Sequence, residues 1–231
     1  MKGYGQFCPI AKASEVLGER WTNLVIRELG AGSETFNDLR RGLPLISPSL
    51  LSSRLKSLER AGVVERRVNN SSVSYRLTAS GEELFPIILK LGEWGHRWVR
   101  SEMSKDDLDP SLLMWDVHRN LDARYFERSF GSERCVLMFE FTDFRTKYHR
   151  WWLVIKDGEV DVCLKDPGFD VDLTVVTDAR SLAHYWMGDI SMNKALRDKL
   201  IRLSGLPKLK KDIASWLGRN YYADVKPARR A

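Results

Sequence analysis

Residues 47–77 read SPSLLSSRLKSLERAGVVERRVNNSSVSYRL. The stretch opens with Ser47, whose hydroxyl suits a helix N-cap, and Pro48 at the first helical position, where no N–H is needed. Leu51, Leu55 and Leu58 recur at helical spacing and share a buried face. Ser49, Ser53, Lys56, Ser57 and Arg60 fall opposite them, so this helix presents small hydroxyls and cations outward. Gly62 ends it. Residues 63–68 and 73–77 then alternate apolar and polar on either side of Asn69-Asn70-Ser71-Ser72, the pattern of a β-hairpin with a polar tip. Arg66, Arg67 and Arg76 stand on that hairpin. A helix followed by a basic hairpin reads as a winged helix-turn-helix. Its helix offers the short donors and cations that base edges and phosphates of a major groove require. An ordinary αββ fragment with a solvated face has the same periodicity, and charge separates the two readings. From Thr35 to Leu77 eight Lys/Arg stand against three Asp/Glu, a local net of +5 in a chain whose total is +6. That concentration favours a polyanion partner.

With 231 residues, 43% of them hydrophobic, the chain can bury one large core or two modest ones. No run approaches the roughly 20 apolar residues of a membrane span, and the first seven residues lack the apolar core of a signal peptide. Cys8, Cys135 and Cys163 are odd in number and widely spaced, which argues against a disulfide framework or a structural zinc. His96, His118, His149 and His184 are scattered, none at an i, i+4 metal-binding spacing. There is no Gly-rich phosphate loop, no GxSxG and no HExxH. These features predict a soluble, cytoplasmic protein with no metal and no cofactor, one that is not an enzyme and has no membrane partner.

Upstream of the quoted stretch, helices are expected over 9–17, 19–31 and 35–41. Arg40 and Arg41 close the last of these, where cations suit the helix dipole and can also meet phosphates. Downstream, Thr78 caps a long helix expected to reach about residue 103, with an apolar stripe of Leu84, Ile87, Ile88, Leu91, Trp94, Trp98 and Val99. A small domain cannot cover so long a stripe. Leu84, Ile88, Leu91, Trp94 and Trp98 therefore read as a pairing surface for a second copy, or else as a face covered by a second domain. The charged run 104–110 ends in proline and marks a boundary between domains 1–104 and 105–231.

Beyond it the pattern mixes α and β. Helices are expected at 111–121, 179–187, 192–197 and 207–217, and strands at 135–142, 149–156, 159–164, 172–177 and 199–203. Lys156-Asp157-Gly158-Glu159 is a hairpin turn. The fold class is α+β. Trp115, Phe139, Phe141, Trp151, Trp152, Tyr185, Trp186 and Trp216 either line a pocket for a small apolar ligand or pack as core. Trp151 and Trp152 point to opposite faces of one strand, so at most one of them meets a cavity.

The first half resembles the HxlR family of winged-helix regulators, relatives of the MarR type. Over about residues 7–98 the resemblance rests on Cys8-Pro9, Leu17-Gly18-Glu19-Arg20-Trp21-Thr22, Ile26-Arg27-Glu28-Leu29, Phe36-Asn37-Asp38-Leu39-Arg40, Leu43-Pro44, Ile46-Ser47-Pro48, the run from Leu51 to Glu59, Gly62-Val63-Val64 and Tyr75-Arg76-Leu77-Thr78. It implies a homodimer that places two recognition helices in successive major grooves of a pseudo-palindromic operator on double-stranded DNA. The residues expected to meet DNA are Arg40, Arg41, Ser47, Ser49, Ser52, Ser53, Arg54, Lys56, Arg66, Arg67, Asn69, Asn70 and Arg76. In some members of this family the cysteine corresponding to Cys8 senses oxidants or electrophiles; inert packing is its other reading.

From about residue 151 to 216 the chain resembles the sterol carrier protein fold, a five-stranded sheet with helices around an apolar tunnel. The residues concerned are Asp172-Leu173-Thr174-Val175, Trp186-Met187-Gly188-Asp189 and Lys199-Leu200-Ile201-Arg202-Leu203-Ser204-Gly205. That resemblance implies a lipid or other apolar ligand but carries over no fixed set of binding residues; Phe139, Phe141, Trp151, Trp152, Tyr185 and Trp186 are candidate lining as aromatic residues alone. Together the two halves imply a dimeric transcriptional regulator modulated by such a ligand; the alternative is a lipid carrier with weak or accessory DNA binding.

Overall fold

The computed structural model describes residues 3–69, 72–99, 103–104, 107–145 and 149–228. The chain folds as two compact units, Met1–Gly95 and His96–Ala231. The sequence places the division at the charged run 104–110. The units divide instead where the long helix loosens into a π-helical turn, Gly95–Val99.

In the first unit the order is α1 (Pro9–Leu17), α2 (Thr22–Gly30), α3 (Phe36–Gly42), α4 (Pro48–Arg60), β1 (Val64–Asn69), β2 (Ser72–Leu77) and α5 (Ala79–Trp94). Side-chain caps fix the start of three helices. Thr35 Oγ1 accepts from the Asp38 N–H, Ser47 Oγ from that of Leu50, and Thr78 Oγ1 from that of Gly81. β1 and β2 pair antiparallel, and a bridge from Thr35 to Ser74 adds a short third rung to the wing. Leu51, Leu55 and Leu58 of α4 pack on Val25, Ile26 and Leu29 of α2, with Leu39, Val63, Val64 and Ile88 closing the core.

The second unit contains α6 (Pro110–Asn120), α7 (Ala123–Phe130), β3 (Cys135–Phe141), β4 (Arg150–Lys156), β5 (Glu159–Cys163), β6 (Leu173–Thr177), α8 (Ala179–Trp186), α9 (Met192–Arg197), β7 (Ile201–Gly205), α10 (Pro207–Lys211) and α11 (Ile213–Trp216). Its five strands lie in the order β5-β4-β3-β6-β7, with β3 and β6 parallel and every other pair antiparallel. Asp157 (φ 51) and Gly158 (φ 78) make the two-residue turn between β4 and β5, both left-handed as a type I′ turn requires. Strand alternation sends Leu137, Phe139, Phe141, Trp151, Leu153, Leu173 and Val175 to one face. There they meet Met114, Val117, Phe126, Leu182, Tyr185, Trp186, Ile213 and Trp216 from the helices.

Several expected elements differ. Helix α7 is not foreseen in the sequence. The expected final helix is broken at Asp212, whose carboxylate accepts from the Tyr125 hydroxyl at 2.9 Å. The last strand begins two residues later than expected, after Lys199 adopts a left-handed φ of 58°.

Candidate nucleic-acid interface

The leucine face of α4 is fully occupied by the core, which fixes what its opposite face presents. Ser49, Ser53, Lys56 and Arg60, at i, i+4, i+7 and i+11, are all exposed and form one stripe along the helix. Ser52 is half-buried at its margin. Ser47 has a different job: its Oγ caps the helix and lies 3.2 Å from Ser49 Oγ.

Arg54 does not join the stripe. Its Nε donates to the Arg20 carbonyl at 2.9 Å and its guanidinium pairs with Glu19, leaving the side chain 16% exposed. The expectation that it contacts DNA is corrected on that ground. The wheel explains why, since residue 54 is i+3 from Leu51 and i−4 from Leu58, on the buried side.

On the wing Arg66 and Asn69 are exposed, and Arg67 is exposed while paired with Glu65. Arg76 pairs with Glu34 at 2.9 Å, tying β2 to the loop before α3. Asn70 lies outside the described residues. At the end of α3, Arg40 is exposed and Arg41 lies 3.6 Å from Asp38. The outward cations are thus Arg40, Arg41, Lys56, Arg60, Arg66 and Arg67, drawn from three consecutive elements.

A residue with no role assigned from sequence helps tie α2 to α3. Glu28 of α2 is fully buried. Its carboxylate accepts from Arg27 Nη2 at 2.5 Å and from Ser33 Oγ at 3.1 Å, and Arg27 Nη2 also reaches the Gly42 carbonyl at 3.3 Å. A buried carboxylate is tolerated only when its hydrogen bonds are met. Here they fasten α2 to the end of α3, one turn before the recognition helix. The only sequence signal was a glutamate at a helical spacing otherwise apolar.

The expected dimer stripe splits into two faces. Ile88 is buried in the unit's own core, so its expected pairing role is corrected, and Leu84 is half-buried against the same core. Ile87, Leu91, Trp94 and Trp98 point outward instead, 61%, 49%, 56% and 59% exposed.

In the second unit Phe139, Phe141, Trp151, Tyr185 and Trp186 belong to one packed core. The Tyr185 hydroxyl donates to the Gly218 carbonyl, and Trp186 Nε1 donates to Asp116 at 2.6 Å. Trp152 is buried on the other face of its strand. Five of the six candidate lining residues thus lie in the hydrophobic core between sheet and helices, where rings at alternate strand positions face the helices. A cleft of about 280 Å³ lies elsewhere, in the first unit, lined by Glu15, Val16, Glu19, Thr22, Ser57, Leu58, Arg60 and Ala61.

Cys8 is half-buried just before α1. Lys12, one turn further along α1, is engaged by Glu15 at 3.0 Å. Burial pushes the Cys135 thiol up to about 12, helped by the nearby Asp172 carboxylate, which keeps it protonated and unreactive. Among the described residues no group of three or more His, Cys, Asp or Glu is placed to hold a metal, and no helix is long and apolar enough to cross a membrane.

Comparison with known proteins finds matches to part of the chain. A family model described as HxlR-like helix-turn-helix matches residues 16–103. The HTH-type transcriptional regulator YvaP of Bacillus subtilis is 36% identical over 112 residues, covering 47% of this chain and 95% of YvaP. Rv3095, an HTH-type transcriptional regulator of Mycobacterium tuberculosis, is 39% identical over 128 residues, covering 50% of this chain and 80% of its own length. Among solved structures, the reduced form of the transcriptional regulator YodB from Bacillus subtilis is 33% identical, covering 39% of this chain and 92% of YodB, with a TM-score of 0.35.

Proposed function

Because the chain belongs to the HxlR-like helix-turn-helix family of transcriptional regulators, we propose that it binds a pseudo-palindromic operator as a homodimer, with α4 in the major groove and the β1–β2 wing on the backbone. The observation that carries this reading is the exposed stripe of Ser49, Ser53, Lys56 and Arg60 on a helix whose other face is locked into the core. Short hydroxyls near the N-terminal end of such a helix come closest to base edges. Lys56, Arg60 and Arg66 supply charge for phosphates, the contacts that position rather than specify. Ile87, Leu91 and Trp94 on α5 form the pairing surface, which replaces the stripe expected from sequence.

Ser53→Glu is the direct test. It places a carboxylate against base edges and phosphates without touching the leucine face. Affinity for a duplex recovered by selection from random sequence is expected to fall at least 100-fold, on the order of 3 kcal/mol, with the melting temperature unchanged. An operator affinity equal to wild type in the folded variant would remove α4 from the groove.

In this proposal the second unit is the effector module, with a sterol-carrier-like arrangement and an apolar ligand. What supports it is a five-stranded sheet covered on one face by helices, with an aromatic-rich core between them. Since those rings are buried in the unit's core, a ligand must favour a rearranged core over the one seen here. That differential affinity is the quantity able to bias DNA binding.

A further inference from the structure

The second unit carries opposite charge on its two sheet edges. At one edge, residues 156–166 hold four Asp/Glu against two Lys, among them Glu159 and Asp161 on β5 itself. At the other, residues 194–211 hold seven Lys/Arg against a single Asp. Strand order puts β5 and β7 at the two extremes of the sheet. Four strand spacings separate them, about 19 Å. That is roughly twice the screening length at physiological salt, so the acidic edge does not neutralise the basic one.

Little else neutralises it. Asp198 is taken by Lys194 at 2.5 Å and by Arg197 at 3.4 Å. Lys208 donates to the Ser129 carbonyl and lies 5.5 Å from the Phe130 ring centre. Lys199, Arg202, Lys210 and Lys211 have no ion pair among the described residues. Arg202 projects from the edge strand on the face opposite Ile201 and Leu203, and Lys199, Arg202 and Lys211 are exposed. Lys199 holds a left-handed backbone that a side-chain-bearing residue adopts at a cost, immediately before the strand. The cations thus come from the α9–β7 turn, the strand and α10, consecutive elements along one edge.

We propose that this β7 edge is a second DNA-backbone surface, reading no sequence and adding phosphate contacts to those of the winged helix. DNA is the partner the charge favours. A duplex offers closely spaced phosphates to a row of unpaired cations, while the acidic far edge repels the same polyanion and so orients the unit. The inference rests on the DNA-binding reading above, and the test separates the two.

The full-length protein is titrated with a 30-base-pair duplex of arbitrary sequence between 50 and 200 mM salt. The comparison is with a variant carrying Lys199→Gln, Arg202→Gln, Lys210→Gln and Lys211→Gln. Each lost phosphate contact lowers the slope of log affinity against log salt by about 0.9. If all four make contact, wild type should lose roughly 100-fold more affinity than the variant over that range. Lys210→Arg with Lys211→Arg, which keeps the charge, should retain the wild-type slope. An unchanged slope in the glutamine variant overturns the proposal. So does an unchanged slope combined with lost binding to phosphatidylglycerol vesicles, which would assign the edge to a membrane instead. Arg66→Gln with Arg67→Gln serves as the separate arm. A slope insensitive to that pair alone counts against the wing, and leaves the β7 edge to be judged by its own variant.

Discussion

Trp94→Glu is expected to convert the protein from dimer to monomer at micromolar concentration, raising the dimer dissociation constant about a thousandfold. Trp94 is 56% exposed in the single chain, in line with Ile87 and Leu91 at i−7 and i−3. A two-fold interface buries each of these residues twice. Losing an aromatic anchor costs on the order of 2 kcal/mol per copy, and two copies give about 4 kcal/mol, or three decades in affinity. The variant should keep the fold, because Leu84 and Ile88, which serve the unit's own core from the same helix, are untouched. Sedimentation velocity measures the outcome. A dissociation constant equal to wild type would show that this face does not pair.

Gly42→Ala should destabilise the first unit by about 3 kcal/mol, although alanine in place of a helical glycine ordinarily stabilises by roughly 0.5–1 kcal/mol. A Cβ built at Gly42 falls 1.9 Å from Glu28 Oε2 and 2.1 Å from its carboxyl carbon. A free carboxylate would swing away. This one is buried and held by Arg27 and Ser33, so relieving the clash means breaking charge-assisted hydrogen bonds in a dry setting. Denaturant unfolding of Gly42→Ala, Glu28→Ala and the double variant forms a cycle. The prediction is strong non-additivity, of at least 1 kcal/mol, because removing the carboxylate also removes the clash. Additive losses would mean that the two residues do not meet.

Glu28 also marks the limit of what was legible in the sequence. Helix α4 was readable almost to the residue, since its cap, its proline and its leucine spacing are local signals, and the same holds for the wing and for the Asp157-Gly158 turn. Arg54 was misassigned because its partners, Glu19 and the Arg20 carbonyl, lie some 34 residues away. Its place beside Leu51 and Leu58 on the wheel was the available warning. The apolar positions of α5 looked like one wide stripe; a 100° step between Ile87 and Ile88 is enough to send one outward and the other into the core. In the second unit the strands alternate clearly, yet periodicity cannot distinguish a ring packed against a helix from a ring facing a ligand. Helix α7 escaped notice for being only two turns long, with Tyr125 and Phe126 as its buried residues.

Whether two copies of α4 read one operator is decided by selecting bound duplexes from a random-sequence pool with the full-length protein. Enrichment is expected for a two-fold-related motif whose half-sites are centred one helical turn apart, about 10–10.5 base pairs, or a multiple of it. A pool that shows no enriched motif, or a single asymmetric site, would contradict it.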